Sequence, residues 1–150
     1  MPEVYVDADA CPVRDECIKV AQRHGLKLYM VSDGGIRPYQ DPRIQLVVVA
    51  PGIDAADHWI VDNIGSNDIA ITADISLAVG CIKSGAVVLK PNGEILKGDN
   101  IGSVEARYGL MKSLRETGEI TGGPRPFTKQ DHSRFSSALE VAVQKTLRRE

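Results

Sequence analysis

The chain has 150 residues, 43% of them hydrophobic, and a formal net charge of −2 at pH 7. This length suits one domain, residues 1–150, with a full hydrophobic core. The small net charge argues against a protein that coats nucleic acid electrostatically, although a local basic strip is compatible with it. The N-terminus lacks a secretion-signal pattern, and no run approaches the roughly 20 apolar residues of a membrane span, so we expect a soluble cytoplasmic protein.

The three cysteines lack the spacing of a cross-linked or zinc-binding protein. Cys11 and Cys17 are six residues apart, and Cys81 is remote from both. An odd number of cysteines without paired spacing matches neither a disulfide framework nor a zinc site. We therefore expect reduced thiols, two of which pack in the core.

Strand and helix patterns alternate in the first half of the chain. A strand pattern at 3–7 leads into a helix pattern at 12–24, whose apolar residues recur every three or four positions and which Gly25 ends. Further strands are predicted at 26–31 and 44–50, separated by a loop rich in glycine and proline. The last of these runs is almost entirely apolar, as expected of a strand covered on both faces.

The alternation continues past the middle of the chain. A helix pattern at about 52–64 precedes a strand pattern at 68–73. Ser76 is then the expected N-cap of a short helix at 77–83. Strands that alternate with helices indicate an α/β protein whose sheet is parallel at its centre.

The chain ends with a predicted hairpin and two helices. Strands at 86–89 and 94–96 are joined through Asn-Gly, which is typical of a tight β-hairpin turn at a sheet edge. Helices are expected at about 103–116, capped by Ser103, and at about 130–148. The apolar residues of the last helix are Phe135, Leu139, Ala142 and Val143.

Acidic residues stand where the predicted strands end and the predicted helices begin. They are Asp7, Asp9, Asp54, Asp57 and Asp74. The carboxyl ends of parallel strands meet at one edge of an open α/β sheet, where ligands bind. Like charges at one place repel each other, so such a cluster normally persists because a divalent cation neutralises it. Oxygen ligands suit Mg²⁺ or Mn²⁺.

Most of these acidic residues also have a structural alternative. Asp9 and Asp54 suit the N-caps of the helices that they precede, and Asp74 suits a turn at the strand exit. Asp57 suits a solvated helix face. Asp7 has no common structural duty at a junction between strand and helix, so a function is favoured there.

Other polar residues favour structural roles. Asp131 follows Thr128 by three residues, which is the spacing of a helix capping box. The histidines lie on separate segments without ligand spacing, which favours surface or helix-end positions. They are His24, His58 and His132.

Four motifs, taken in order, resemble the bacterial YaiI/YqxD family over nearly the whole chain: VDADACP, PGIDAADHWI, ITADISLA and TGGPRPF. That family is similar in turn to the PIN-like nuclease superfamily. The resemblance implies a Rossmann-like (PIN-like) three-layer sandwich, in which a mostly parallel sheet lies between helices. It also implies an acidic Mg²⁺ or Mn²⁺ site, with Asp7, Asp57 and Asp74 at the PIN positions and Asp9 and Asp54 as extra ligands.

Two features depart from the general PIN pattern. The glutamate that usually lies between the first and middle acids has only Glu16 or Asp33 as a counterpart here. The TGGPRPF loop and the last helix are not part of that pattern.

The leading functional interpretation is a metal-dependent phosphodiesterase or ribonuclease that acts on RNA or another nucleic acid. Asp7, Asp57 and Asp74 would hold the metal and position water. One alternative is an aspartyl-phosphate phosphatase, because Asp7 and Asp9 have the spacing of its two-carboxylate motif. Another is a non-catalytic PIN-like module that binds RNA or protein.

Basic residues flank the loop rich in glycine and proline. Arg125, Lys129 and Arg134 are candidates to contact substrate phosphate, because guanidinium groups and open backbone N–H groups bind phosphate oxygens. The same residues also suit a solvated face.

Overall fold

A six-stranded sheet lies at the centre of the part of the chain that a computed structural model describes, namely residues 1–52, 55–98, 100–103, 106–107 and 127–149. The strands are β1 (Val4–Asp7), β2 (Leu28–Ser32), β3 (Ile44–Val48), β4 (Ile69–Ile71), β5 (Val87–Leu89) and β6 (Ile95–Leu96). Their spatial order is β3-β2-β1-β4-β5-β6. All neighbours pair in parallel except β5 and β6, which are antiparallel.

Helices cover both faces of this sheet. They are α1 (Arg14–His24), α2 (Ala55–Asn63), α3 (Ile75–Lys83) and α4 (Lys129–Arg148), and a 3-10 turn (Ala8–Ala10) follows β1. The hydrophobic cluster on one face contains residues of α1 and α4, and that on the other contains residues of α2 and α3. The predicted α/β three-layer sandwich with a mostly parallel sheet is therefore confirmed.

The central strand shows how the sequence builds these two cores. In β1, Val4 and Val6 belong to the cluster under α1 and α4, whereas Tyr5 belongs to the cluster under α2 and α3. Successive side chains of a strand point to opposite faces, so a continuous apolar run supplies both cores at once. Phe135 of α4 packs on the first face and is fully buried. Burying a side chain of this size contributes roughly 1.5–3 kcal/mol.

The last helix begins as its sequence predicts. Asp131 N–H donates to Thr128 Oγ1 at 3.2 Å, and Thr128 N–H donates to Asp131 Oδ2 at 2.9 Å. This capping box is the one expected from the spacing. The four residues predicted to face inward from this helix are all buried.

The third strand does not have the predicted position. Its apolar run indicated a strand covered on both faces, but β3 lies at the edge of the sheet and Val48 is 62% exposed. Segment 33–43 between β2 and β3 contains no helix, and β3 pairs with β2 alone among the described strands. The composition of a strand shows how apolar it is, but it does not predict whether the strand lies at the centre or at the edge of the sheet.

Two helix starts differ from their predictions. Because a 3-10 turn follows β1, α1 begins at Arg14 and not at residue 12. Asp74, and not Ser76, is the N-cap of α3. The helix predicted from Ser103 falls largely outside the described residues, but residues 101–103 are already helical.

The predicted hairpin is present and β6 forms one edge of the sheet. Only Gly93 of its turn has a positive φ, at 93°. Gly93 N–H donates to Lys90 O at 2.9 Å, and Lys90 N–H donates to Glu94 O at 2.9 Å. Glycine is needed at that one position, as in longer hairpin loops that end in a left-handed residue.

The strand order reverses between β1 and β4. From β1 the chain proceeds to β2 and β3 on one side, and it then returns to place β4 on the other side of β1. Ligands of open α/β sheets bind in the crevice outside the carboxyl ends of the strands at such a switch point. Asp7 ends β1, and Asp74 follows β4. Among the described helices, none is both long enough and apolar enough to cross a membrane.

Candidate functional site

Five carboxylates from four segments of the chain line one cavity of about 170 Å³ at this switch point, which we call the acidic lobe. They are Asp7, Asp9, Asp33, Asp57 and Asp74. The structure thus brings together four of the five acids chosen from the sequence, and the fifth, Asp54, lies outside the described residues. Asp33 joins them from the loop after β2, whereas Glu16, the other candidate for the intervening acid, does not line this lobe.

Asp7 is half-buried at the end of β1. The hydroxyl of Thr72 donates to Asp7 Oδ2 at 3.1 Å. Burial raises the pKa of the Asp7 carboxyl above its ordinary value, the hydrogen bond from Thr72 lowers it, and the charges of Asp74 and Asp9 raise it again. The surroundings of Asp7 therefore favour its protonated form, unless a nearby cation compensates the negative charge of the ionised form.

Asp9 is exposed and holds the loop that follows β2. Ser32 Oγ, which is fully buried, lies 2.6 Å from Asp9 Oδ1 and donates to it, and Asp33 N–H donates to Asp9 Oδ2 at 3.1 Å. The alternative in which Asp9 caps α1 is wrong, because the N-cap of that helix is Val13 without a side-chain hydrogen bond. Asp9 thus stabilises the start of the loop that carries Asp33.

Asp74 combines a position in the acidic lobe with a structural duty. Its Oδ1 accepts a hydrogen bond from Leu77 N–H at 3.2 Å, which makes it the N-cap of α3. Its own N–H donates to Thr72 Oγ1 at 3.0 Å. A substitution here must therefore be chosen so that it separates the loss of charge from the loss of the cap.

Asp57 lies in the first turn of α2 and is half-buried. Burial raises the pKa of the Cys81 thiol to about 12, and the negative charge of Asp57 contributes to that rise. The negative charge of Asp57 thus affects a buried thiol of α3. All three cysteines are free and buried, in agreement with the prediction of reduced thiols.

Two further cavities adjoin the acidic lobe. One, of about 300 Å³, shares Asp57 and Asp74 with it and lies between α2 and α3, and we call it the helix lobe. The other, of about 210 Å³, shares Asp7 and Asp74 with it and extends to Pro91, and we call it the proline lobe. Because the three lobes share lining side chains, we refer to them together as the cleft. Among their described lining residues there is no lysine or arginine.

Sequence reasoning missed several residues of the cleft. His58 is exposed, as expected, and it also lines the helix lobe, whereas His24 pairs with Glu140 and His132 with Glu16. The available signal was that His58 directly follows Asp57 in a helix whose first turn opens at the switch point. The supporting hydroxyls were also missed. They are Ser32 at the end of β2 and Thr72 after β4.

The donor chemistry of the acidic lobe suits a hard divalent cation. Carboxylate oxygens and waters are the ligands of Mg²⁺ and Mn²⁺. In the part of the chain that the structure describes, no three Asp, Glu, His or Cys side chains are grouped closely enough to hold an ion by themselves. Mg²⁺ commonly keeps several waters and binds through only one or two carboxylates. The residues present therefore fit a largely hydrated ion.

Neither of the two described residues that were predicted to contact phosphate lines the cleft. Lys129 is exposed in the first turn of α4. Arg134 pairs with Asp131 at 3.4 Å, and its backbone and stem lie close to Gly93 in the hairpin turn, two residues from Pro91 of the proline lobe. Arg125 lies outside the described residues.

Comparison with known proteins identifies the family. The family model described as "Uncharacterized BCR, YaiI/YqxD family" matches residues 5–145. The chain belongs to this family. The YaiI/YqxD relatives include proteins named "UPF0178 protein" from three bacteria, and no solved structure matches the chain.

The chain spans nearly the full length of these YaiI/YqxD relatives. It is 50% identical to the protein of Rhodopseudomonas palustris strain TIE-1 over 99% of this chain and 94% of that one. It is 49% identical to the protein of Parvibaculum lavamentivorans over 99% of this chain and 98% of that one. It is 49% identical to the protein of Nitrobacter winogradskyi over 97% and 92% respectively.

Proposed function

We propose that the chain is a PIN-like, divalent-metal-dependent phosphodiesterase that cleaves RNA in the acidic lobe. The observation that carries the proposal is the meeting of five carboxylates at the switch point of the sheet. These carboxylates come from four separate segments, since Asp7 and Asp9 share one, so their meeting does not follow from a local turn or a single helix. Such a concentration of negative charge favours the binding of a cation.

In this mechanism Asp7, Asp57 and Asp74 would hold a hydrated Mg²⁺ or Mn²⁺ ion, directly or through its waters, with Asp9 and Asp54 in support. Such an ion would supply an activated water and would stabilise the charge on the leaving oxygen. Thr72 keeps the Asp7 carboxylate in place through its 3.1 Å hydrogen bond. No protein nucleophile is required.

A polyanionic substrate must overcome the negative charge of this cleft. We assign that role to the bound cation together with Arg125, Lys129 and Arg134. Lysine and arginine contacts to phosphate provide affinity for RNA that is independent of base sequence. The position of Arg134 beside the hairpin turn, close to the proline lobe, supports an entry path for the RNA backbone on this side.

The aspartyl-phosphate mechanism has less support. It requires a lysine beside the nucleophilic carboxylate, and the described residues that line the proline and acidic lobes around Asp7 include none.

Cleavage of end-labelled single-stranded RNA with Mn²⁺, and with chelator in its place, tests the proposal. We expect products from the wild-type protein with metal only, and none from Asp7→Asn or Asp57→Asn. Asp15→Asn is the matched control, because Asp15 is an exposed helical carboxylate on α1 outside the lining of the three lobes. Cleavage that survives in Asp7→Asn would contradict the assignment. RNA binding without any cleavage by the wild-type protein would indicate the non-catalytic module.

A further inference from the structure

The helix lobe is larger than the acidic lobe that it adjoins. Its volume is about 300 Å³, against about 170 Å³, and the two share Asp57 and Asp74. Pockets for small ligands begin at about this size. The helix lobe is thus large enough for a single ring system that lies next to the carboxylates.

Two apolar side chains line the helix lobe. Leu77 is only 2% exposed, and Val61 packs from the opposite helix. Helices α2 and α3 approach each other closely at Gly80. A Cβ placed on Gly80 would lie 3.0 Å from Val61 Cγ2. These apolar side chains suit contact with the face of a planar ring.

The rim of the helix lobe is polar and carries no positive side chain. His58, Asp62 and Ser76 line it and are exposed, and none of its described lining residues is a lysine or arginine. A phosphate group would meet only the negative charges here. A ring that presents N–H donors to the carboxylate of Asp62 fits the rim better.

We propose that the helix lobe binds one unstacked base of single-stranded RNA, a proposal that rests on the function proposed above. The base lies on Val61 and Leu77, with His58 stacked against its exposed face. Asp62 and Ser76 accept hydrogen bonds from its edge. The adjoining phosphate then reaches the acidic lobe over Asp57 and Asp74, the two residues that both lobes share.

This arrangement selects the form and the base of the RNA. Bases are stacked and paired within a duplex, so only a strand with a splayed base can fill the lobe. A carboxylate acceptor favours bases that carry an amino group, as in recognition of cytosine N4 by Asp or Glu. Adenine, guanine and cytosine are therefore preferred over uracil.

Binding to two short RNA probes tests this proposal separately from cleavage. One probe is a fluorescently labelled trinucleotide of adenine, and the other has the same backbone and charge without bases. Fluorescence anisotropy is measured with Ca²⁺, which takes the same kind of oxygen ligands. We expect removal of the bases to weaken binding to the wild-type protein by roughly 5-fold or more, since stacking of a base on an aromatic side chain is typically that strong.

His58→Ala closes a double-mutant cycle with the two probes. We expect this variant to weaken binding of the adenine probe and to leave binding of the baseless probe unchanged. Asp62→Ala should likewise weaken the adenine probe relative to the baseless probe, while loss of its negative charge favours both polyanions equally, and the matched control Asp15→Ala should change neither. Alanine favours helix and both sites are exposed, so circular dichroism should show a folded protein in each case.

The outcomes separate this proposal from the enzyme itself. Three outcomes would overturn the base site, even if the wild-type protein cleaves RNA. They are equal binding of the two probes, no binding of either probe, and an equal loss of affinity for both probes in His58→Ala. A clear coupling between His58 and the bases would support the site, even if no cleavage occurs and the metal-dependent reaction is rejected.

Discussion

The hydroxyl of Thr72 donates a hydrogen bond to Asp7 Oδ2 at 3.1 Å, so the residue after β4 holds the carboxylate that ends β1. The same hydroxyl oxygen accepts a hydrogen bond from Asp74 N–H at 3.0 Å. One side chain therefore joins both sides of the switch point. The hydroxyl of Thr72 therefore influences both the ionisation of Asp7 and the backbone at the start of α3.

We predict that Thr72→Val makes the protein require a higher pH for metal binding. The hydrogen bond from Thr72 lowers the pKa of Asp7, so its loss raises that pKa further above the ordinary value. Mn²⁺ affinity, measured by calorimetry at several pH values, should show its acidic limit shifted upward. Thr72→Ser retains the hydroxyl and is the control. An unshifted limit in Thr72→Val would show that Asp7 does not govern binding.

The raised pKa of Asp7 also predicts how stability depends on pH in chelator. Between the ordinary carboxyl pKa and the raised one, the folded protein holds a proton that the unfolded chain has released, so stability falls as pH rises through this window. Asp7→Asn removes this contribution. Urea unfolding at a series of pH values should therefore show that the stability of Asp7→Asn increases relative to that of the wild-type protein as pH rises through this window. Parallel curves would mean that folding does not perturb Asp7.

Mn²⁺ or Mg²⁺ should raise the melting temperature of the wild-type protein. An ion that binds only the folded state stabilises it by about 2.7 kcal/mol at 100 times its Kd. In a domain of this size that corresponds to roughly 5 to 10 °C. Asp57→Asn should reduce the shift, while Asp15→Asn should retain it. A metal titration without any change in melting would remove the metal-dependent reaction.

The fold could be predicted from sequence because its elements are locally determined. The apolar period of α4 and the spacing of Thr128 and Asp131 specify that helix and its start, and both are present. The place of β3 at the sheet edge could not be predicted, since its apolar run has the composition of a central strand. Strand order depends on long-range pairing, which local patterns do not report.

The candidate site was predictable in part for the same reason. Carboxyl ends of parallel strands share one sheet edge, so Asp7 and Asp74 were expected to meet there. The helix lobe depends on how α2 packs against α3, and no pattern in either helix reports that packing. His58 is exposed as predicted, but its place in the helix lobe was not expected.

The basic residues should differ in their effects on RNA affinity. Arg125→Ala should weaken RNA binding more than metal binding, and Lys129→Ala should reduce the slope of log affinity against log salt by about 1. Arg134→Ala should have a smaller effect, because its guanidinium is already paired with Asp131. Fluorescence titrations at several salt concentrations provide these slopes. If all three variants bind RNA with wild-type affinity at low salt, these residues do not contact phosphate and form only a solvated face.

Asp74 allows its charge and its cap to be tested separately, because asparagine caps a helix as well as aspartate does. Asp74 accepts the hydrogen bond from Leu77 N–H, and its charge raises the pKa of Asp7. In chelator at neutral pH, Asp74→Asn should be at least as stable as the wild-type protein, because it keeps the cap and removes a repulsion. Asp74→Ala should be less stable by about 1 kcal/mol through loss of the cap. Both variants should lack RNA cleavage.

Thermal melts of the three proteins at one pH provide the measurement. A drop in stability for Asp74→Asn as large as that for Asp74→Ala would mean that the negative charge itself stabilises the start of α3. A charge at a helix N-terminus contributes about 0.3–1 kcal/mol in that way. Asp74 would then be a structural residue, and the metal site would have to be built on Asp7 and Asp57.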